Sequence, residues 1–421
     1  MAADAPKRGG LRRVFSHRNF AIFASGNFPS QLGVWAQRVA LGWLAWKLTE
    51  SGLMLGLLGF VDLIPIILLS PFSGYITDRF DRLALAKLIM SMNVVVTTTL
   101  ASLAYLDLLN IYFLLLFAFL TGIDHAMFQP VRSVLISSLV SKEDLGAAIA
   151  INGFSWNSAR FIGPAIAGIV LAGDDVVAAD ANIIFLVNGI LYGWFLMSFW
   201  VLRLPPQPPR KMSTTSMGGE IVAGYRYVFR HPVIGPLLAI LACASFLTRP
   251  VVELLPGIAE GVFDQGAHGL AWLTSAMGLG AMASGFWIAQ RGRIEGMPRI
   301  TANTLLSGVF VLILFSWTDH FAVAVLCMAA IGFQYSLYAT CIQTMVQSVA
   351  EEHMRGRVLA LYGVTWIGFA AFGSLVMGAL SEWFGLRVPI GAGGVLCVLV
   401  WLWASRVQVR VAAELDAAGI K

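Results

Sequence analysis

The chain has 421 residues, 58% of them apolar and only 12% charged. A water-soluble protein of this length carries roughly twice that charge fraction, so a soluble globular domain is excluded. The net charge of +5 does not imply nucleic acid, because the basic residues sit in short stretches between apolar runs of about 20 residues, the pattern of a membrane protein.

The N-terminus is basic, with Lys7, Arg8, Arg12, Arg13 and Arg18. It leads into an apolar segment too long for a cleaved signal peptide, so the first helix is expected to be a retained anchor. Twelve transmembrane helices are expected, at about 20–48, 52–75, 83–106, 109–137, 146–172, 182–203, 233–256, 268–290, 299–317, 320–347, 356–382 and 387–405. The loops alternate in charge. One set holds Arg79, Arg82, Lys87, Lys142, Arg203, Arg226, Arg230, Arg291 and Arg355; the other holds only Lys47 and Arg387, with Asp107, Asp174, Asp264 and Asp319 among its acids. The positive-inside rule then puts both termini in the cytoplasm.

The longest connection, about 204–232, opens on a stiff Pro-rich run and continues into an expected amphipathic helix over Gly219–Arg230. It divides a six-helix N-terminal half (1–203) from a six-helix C-terminal half (233–421). The halves are expected to be pseudo-symmetric. A shift of 210 residues places Ser138, Gly146, Ala150, Gly153, Gly163 and Gly168 on Ser348, Gly356, Ala360, Gly363, Gly373 and Gly378. Duplicated halves around a midplane site are a plan of secondary transporters.

Between the second and third spans lies Gly74-Tyr-Ile-Thr-Asp-Arg-Phe-Asp-Arg82. The spacing Gly74, Asp78, Arg79, Arg82 resembles the signature loop of the major facilitator superfamily, and the resemblance covers nearly the whole chain. The segments Val39–Trp46, Phe128–Arg132 and Ala159–Pro164 look like the branch of enterobactin exporters and macrolide efflux pumps. The resemblance implies a transporter of a bacterial inner membrane, usually monomeric. It also implies that the loop latches the outward-facing state, with Asp78 facing the start of span 11 near Arg355 and Arg357. The sequence departs from the pattern: Asp81 stands where glycine is usual, and the second-half loop has Ala289 where the acid belongs. The small residues Ala150, Ala159, Gly163-Pro164, Ala167 and Gly168 sit at the spacing of the family's antiporter signature, which implies export. Close helix packing explains the same spacing without it.

Ionisable groups inside a membrane are costly and therefore informative. Those read inside the spans are Arg38, Asp62, Asp124, His125, Arg160, Arg249 and Glu253. Asp62, Asp124 and Glu253 are the candidate proton carriers, with Arg38, Arg160 and Arg249 as their partners. Arg38 and Asp62 are each twelve residues from Glu50, roughly 18 Å at about 1.5 Å per residue, so they share a depth. Asp124 and Arg160 are likewise each eighteen residues from Lys142, and Arg249 and Glu253 are spaced i, i+4. Paired ions that merely fix helix packing would look the same. A cavity lining is expected from the stripes Asn27, Gln31, Trp35 on span 1 and Gln334, Tyr335, Tyr338 on span 10.

The four cysteines form no CxxC pair, and no metal cluster or cofactor motif is present. There is no P-loop, HExxH or GxSG, so neither an ATP-driven pump nor an enzyme is expected. The reading is an all-α membrane protein that exports a small amphipathic organic compound (drug, macrolide or siderophore) against proton entry, with lipid and small molecules as its partners. Two rivals stay open. A lysophospholipid transporter of the same fold predicts a lateral opening and apolar walls. A non-transporting receptor predicts a sealed centre.

Overall fold

The structure is a computed structural model that describes residues 10–171, 177–204, 217–291 and 294–417. The Pro-rich start of the linker and the loop acids Asp174 and Asp175 lie outside the described residues. So do the surroundings of Gly74 and the side chain of Asp78, which leaves the expected latch without a described contact.

Fifteen helices make up the described residues. A short α1 (Gly10–Ser16) precedes α2 (Arg18–Thr49), α3 (Gly52–Arg79), α4 (Arg82–Tyr105), α5 (Ile111–Leu139), α6 (Leu145–Val170) and α7 (Val177–Val201). The linker helix α8 (Met217–Arg230) leads to α9 (Ile234–Thr248), α10 (Val251–Gly261), α11 (Gly266–Arg291), α12 (Met297–Trp317), α13 (Phe321–Val349), α14 (Arg355–Phe384) and α15 (Arg387–Ala417). Among the described residues, α3–α5, α7, α12–α15 and the combined α9–α10 are long and apolar enough to cross a membrane. As long as these, α2 and α6 are more polar because they carry Asn27, Gln31, Gln37 and Arg38, and Asn152, Asn157 and Arg160. In α11, the glycines and the polar His268, Thr274, Ser275 and Ser284 lower the hydropathy. The pair α13 and α14 starts 210 residues after α5 and α6, the same offset as the sequence repeat.

Helix ends follow local chemistry. Ser51 caps α3 through Met54 N (3.1 Å), and Asn110 caps α5 through Phe113 N (3.1 Å). The expected loop from Gly74 to Arg82 is nearly absent. Helix α3 runs on through Arg79, and Asp81 already caps α4 by accepting from Ala84 N at 2.6 Å. The aspartate in the place of the usual glycine is what permits so abrupt a turn from helix to helix. Span 7 also departs from expectation. It is split into α9 and α10 at Arg249-Pro250, where Pro250 offers no backbone donor.

Helices α2–α7 and α9–α15 form two groups that meet along two antiparallel seams. On the α3–α14 seam, a Cβ added to Gly378 would lie 2.6 Å from the Gly52 carbonyl oxygen and 2.9 Å from Gly56 Cα. That seam continues through Phe60 against Phe372 and Leu63 against Ala370 and Ala371. On the α6–α11 seam, Gly278 leaves no room beside Phe161 Cα, Gly168 abuts Ala271, and Ser275 Oγ donates to the Phe161 carbonyl at 3.0 Å. The seams are closed towards the face that holds Glu50, Asp264 and Gly385. Lys47 pairs there with Glu260, Trp46 packs on Gly257, and Glu382 accepts from Ser51 Oγ (2.7 Å) and Leu53 N (2.9 Å). Towards the linker face, a Cβ on Gly153, Gly285, Gly356 or Gly363 would meet nothing within 4 Å. Nor are α5 and α13 packed together there, among the described residues.

Helix α8 lies at the linker face. Gly224 approaches Arg357 and Leu361 of α14, and Tyr227 Oη accepts from Glu351 N at 3.3 Å. Val222, Tyr225 and Phe229 are exposed on its other side, the arrangement of an interfacial helix.

Candidate functional site

A central chamber lies between the two groups. Its walls come from α2, α3, α5, α6, α10 and α11, with Arg249 at the α9–α10 break and Tyr192 of α7. Trp35, Arg38, Asp62, Arg160, Pro164, Arg249 and Glu253 all line it. The structure therefore brings six of the expected charged and aromatic side chains into one space.

Arg38 is the centre of the site. Its Nη2 is 3.3 Å from Asp62 of α3 and 3.0 Å from Glu253 of α10. The first pair matches the shared depth read from the sequence. The second crosses between the two helix groups. Glu253 is thus not the partner of Arg249, as the i, i+4 spacing suggested. Because the helix breaks at Arg249-Pro250, Arg249 caps α9 while Glu253 lies in the first turn of α10. A carboxylate is favoured at that helix start.

The other two arginines are held by aromatic faces. Arg160 sits 5.4 Å from the Trp35 ring centroid, and Arg249 is 5.9 Å from Tyr335 and 5.7 Å from Trp366. Trp35 in turn meets Trp156 edge to face at 5.5 Å. Arg160 needs close approach of α6 to α2, which Gly163 supplies: a Cβ there would be 2.6 Å from Trp35 Cβ.

A second, smaller pocket lies wholly within α2–α7 and is lined by Asn27, Gln31, Asp124, His125 and Arg132, among others. Asp124 accepts from Asn93 Nδ2 at 2.6 Å. It does not meet Arg160, although the two share a depth: Asp124 is turned towards α4, and Arg160 towards the central chamber. The arginine that shares the pocket of Asp124 is Arg132, which bonds Gln129 and lies 5.3 Å from the Trp156 ring. Asn27 donates to Asn152 at 3.1 Å, while both polar atoms of buried Gln31 lack a partner.

Sequence reasoning passed over Arg132 and Trp156. Arg132 lies ten residues before Lys142, roughly 15 Å into the span, so its depth alone could have flagged it. Of the span 10 stripe, Tyr335 and Tyr338 are packed around Trp366 at 4.9 and 5.6 Å. Gln334 is turned away from the chamber and donates to Ser307 of α12 at 3.1 Å. No group of metal-binding side chains occurs among the described residues.

Known proteins are similar to this chain in sequence and in fold. A family model described as "Transmembrane secretion effector" matches residues 13–420. The staphyloferrin A transporter of Staphylococcus aureus (strain NCTC 8325 / PS 47) is 25% identical over 388 residues, covering 90% of this chain and 93% of its own. The enterobactin exporter EntS of Shigella flexneri is 25% identical over 411 residues, covering 95% and 92%. Among solved structures, a bacterial homologue of the human lysosomal transporter Spinster superposes with a TM-score of 0.71 at 16% identity, covering 97% of this chain and 98% of that one.

Proposed function

Since the chain belongs to the transmembrane secretion effector family of major facilitator transporters, we propose that it exports a small amphipathic organic compound, of the drug or siderophore kind, in exchange for protons. In this reading α2, α6 and α11 cross the bilayer with the nine more apolar spans, giving twelve helices in two pseudo-symmetric halves. The basic linker face is cytoplasmic. The chamber is then open to the cytoplasm and sealed on the outside, ready to load.

The observation that carries the reading is the Arg38 bridge. Opening the outer side requires α2 to leave α10, which separates Arg38 from Glu253 and keeps Arg38 with Asp62, since α2 and α3 belong to one half. A carboxylate left without its cation in a low-dielectric site is better off protonated. Glu253 then takes a proton from outside as the cargo leaves. When the halves close again, Arg38 displaces that proton towards the cytoplasm. In this reading Glu253 carries the proton rather than Asp124, because Asp124 contacts Asn93 inside one helix group while Glu253 meets Arg38 across the boundary. Asp62 steadies Arg38 between the two states.

Purified protein in liposomes with an imposed pH gradient tests this. Uptake of dye or siderophore substrates should follow the gradient in wild type and lose that dependence in Glu253→Gln. A transported compound that moves at one rate with and without the gradient removes proton exchange from the mechanism.

A further inference from the structure

The central chamber is not charge-balanced. Three guanidinium groups line it, Arg38, Arg160 and Arg249, against two carboxylates, Asp62 and Glu253. Arg38 engages both carboxylates. Among the described residues, neither Arg160 nor Arg249 has a carboxylate within 4.0 Å. Both face the same chamber.

Their polar atoms are also under-used. Arg160 Nε is buried without an acceptor. Tyr335, which is 5% exposed and under the Arg249 guanidinium, has a hydroxyl without a partner. Both arginines are half-buried, and contact with a ring face replaces only part of the solvation that a guanidinium loses there. The missing compensation is a negative charge. A carboxylate or similar oxyanion between the two arginines would satisfy both forks. Trp35 and Trp156 would then offer flat apolar walls to the body of the same molecule.

We propose that Arg160 and Arg249 form an oxyanion-binding subsite, so that the cargo is an organic anion with a planar or aromatic body rather than an organic cation. The inference rests on the exporter reading for what happens after binding, but not for binding itself.

Equilibrium dialysis with the full chain in detergent tests it. Three probes share one ring system: 2-naphthylacetate, its neutral amide, and 2-(2-naphthyl)ethylammonium. The carboxylate should bind at least ~10-fold tighter than the amide, the worth of one charge-assisted contact. The ammonium probe should bind more weakly than either. Arg160→Gln and Arg249→Gln should each bring carboxylate and amide to within about threefold of each other. Arg160→Lys and Arg249→Lys should keep most of the preference, and wild-type melting curves in the variants show that the fold is intact.

The inference is overturned if the amide or ammonium probe binds as well as the carboxylate. It is also overturned if the preference survives in the double Gln variant, or if the carboxylate shows no saturable binding. Carboxylate binding that depends on both arginines, without transport in liposomes, would leave the subsite standing and sink the exporter reading. Transport of neutral or cationic compounds in preference would do the reverse.

Discussion

The central chamber and the inner pocket hold similar residues, yet they differ in what their charges can do. In the chamber, Arg38 of one half contacts an acid of each half. In the pocket, Asp124, Asn93 and Arg132 all belong to α4 and α5. A rigid-body movement between halves changes the first set of distances and leaves the second alone. A polar cluster can therefore couple to the movement only if it straddles the boundary; one confined to a half is part of the scaffold.

Replacing Arg38 should have the largest effect. Arg38→Ala leaves Asp62 and Glu253 facing each other, and removing one side of a buried ion cluster costs about 3 kcal/mol or more. Chemical unfolding in detergent should show that loss, and the double variant Arg38→Leu with Glu253→Gln should recover part of it. No recovery would mean that the cross-boundary pair is not what Arg38 holds together. Glu253→Gln comes next. It keeps Arg38 with Asp62, loosens α2 from α10, and should raise labelling of a cysteine placed at Gly42 from the outer side. Unchanged labelling would break the comparison at its central point.

Asp124→Asn should matter less, because the amide oxygen can still accept from Asn93; roughly 1 kcal/mol of stability is at stake, with gradient-dependent transport intact. Loss of that dependence would show that the inner pocket couples after all. The smallest effect lies outside the membrane. Asp144, in the loop before α6, accepts from His17 Nε2 at 2.8 Å and also meets Arg13 and Ser141. His17 above all, then Arg13 and Ser141, hold its carboxyl down at about 2. A lowered carboxylate stabilises the fold above its ordinary range and loses that contribution as the pH falls through the folded value. The melting difference between wild type and Asp144→Asn should therefore shrink as the pH is taken from about 5 towards 2. A difference that grows over that window would assign His17 and Arg13 to other partners.

Much of the chamber was legible in the sequence because depth in a membrane can be counted in residues. Arg38 and Asp62 flank one tight hairpin, so equal distances from Glu50 also make them neighbours. The same arithmetic failed for Asp124 and Arg160. Equal depth fixes height along the bilayer and says nothing of rotation about the helix axis, and the two side chains look into different spaces. The bridge to Glu253 was out of reach, since it depends on how two helix groups far apart in sequence dock. The break at Arg249 was announced by Pro250, and the early cap at Asp81 by an aspartate out of pattern. Both are local signals that a span-by-span reading passes over.

The glycines that meet nothing have a consequence for energetics. Small residues line the engaged stretch of each seam towards Glu50, and further glycines (Gly153, Gly285, Gly356, Gly363) lie unengaged towards the linker face. Closing the far stretch while opening the near one would exchange one set of backbone contacts for another of the same kind. Such an exchange would leave the two conformations of the proposed cycle within a few kcal/mol of each other. A modest difference in affinity for cargo or proton is then enough to reverse which one is populated. A Cβ at Gly153 or Gly363 meets nothing within 4 Å here, so a larger side chain there would burden the opposite closure of the proposed cycle far more than the conformation described.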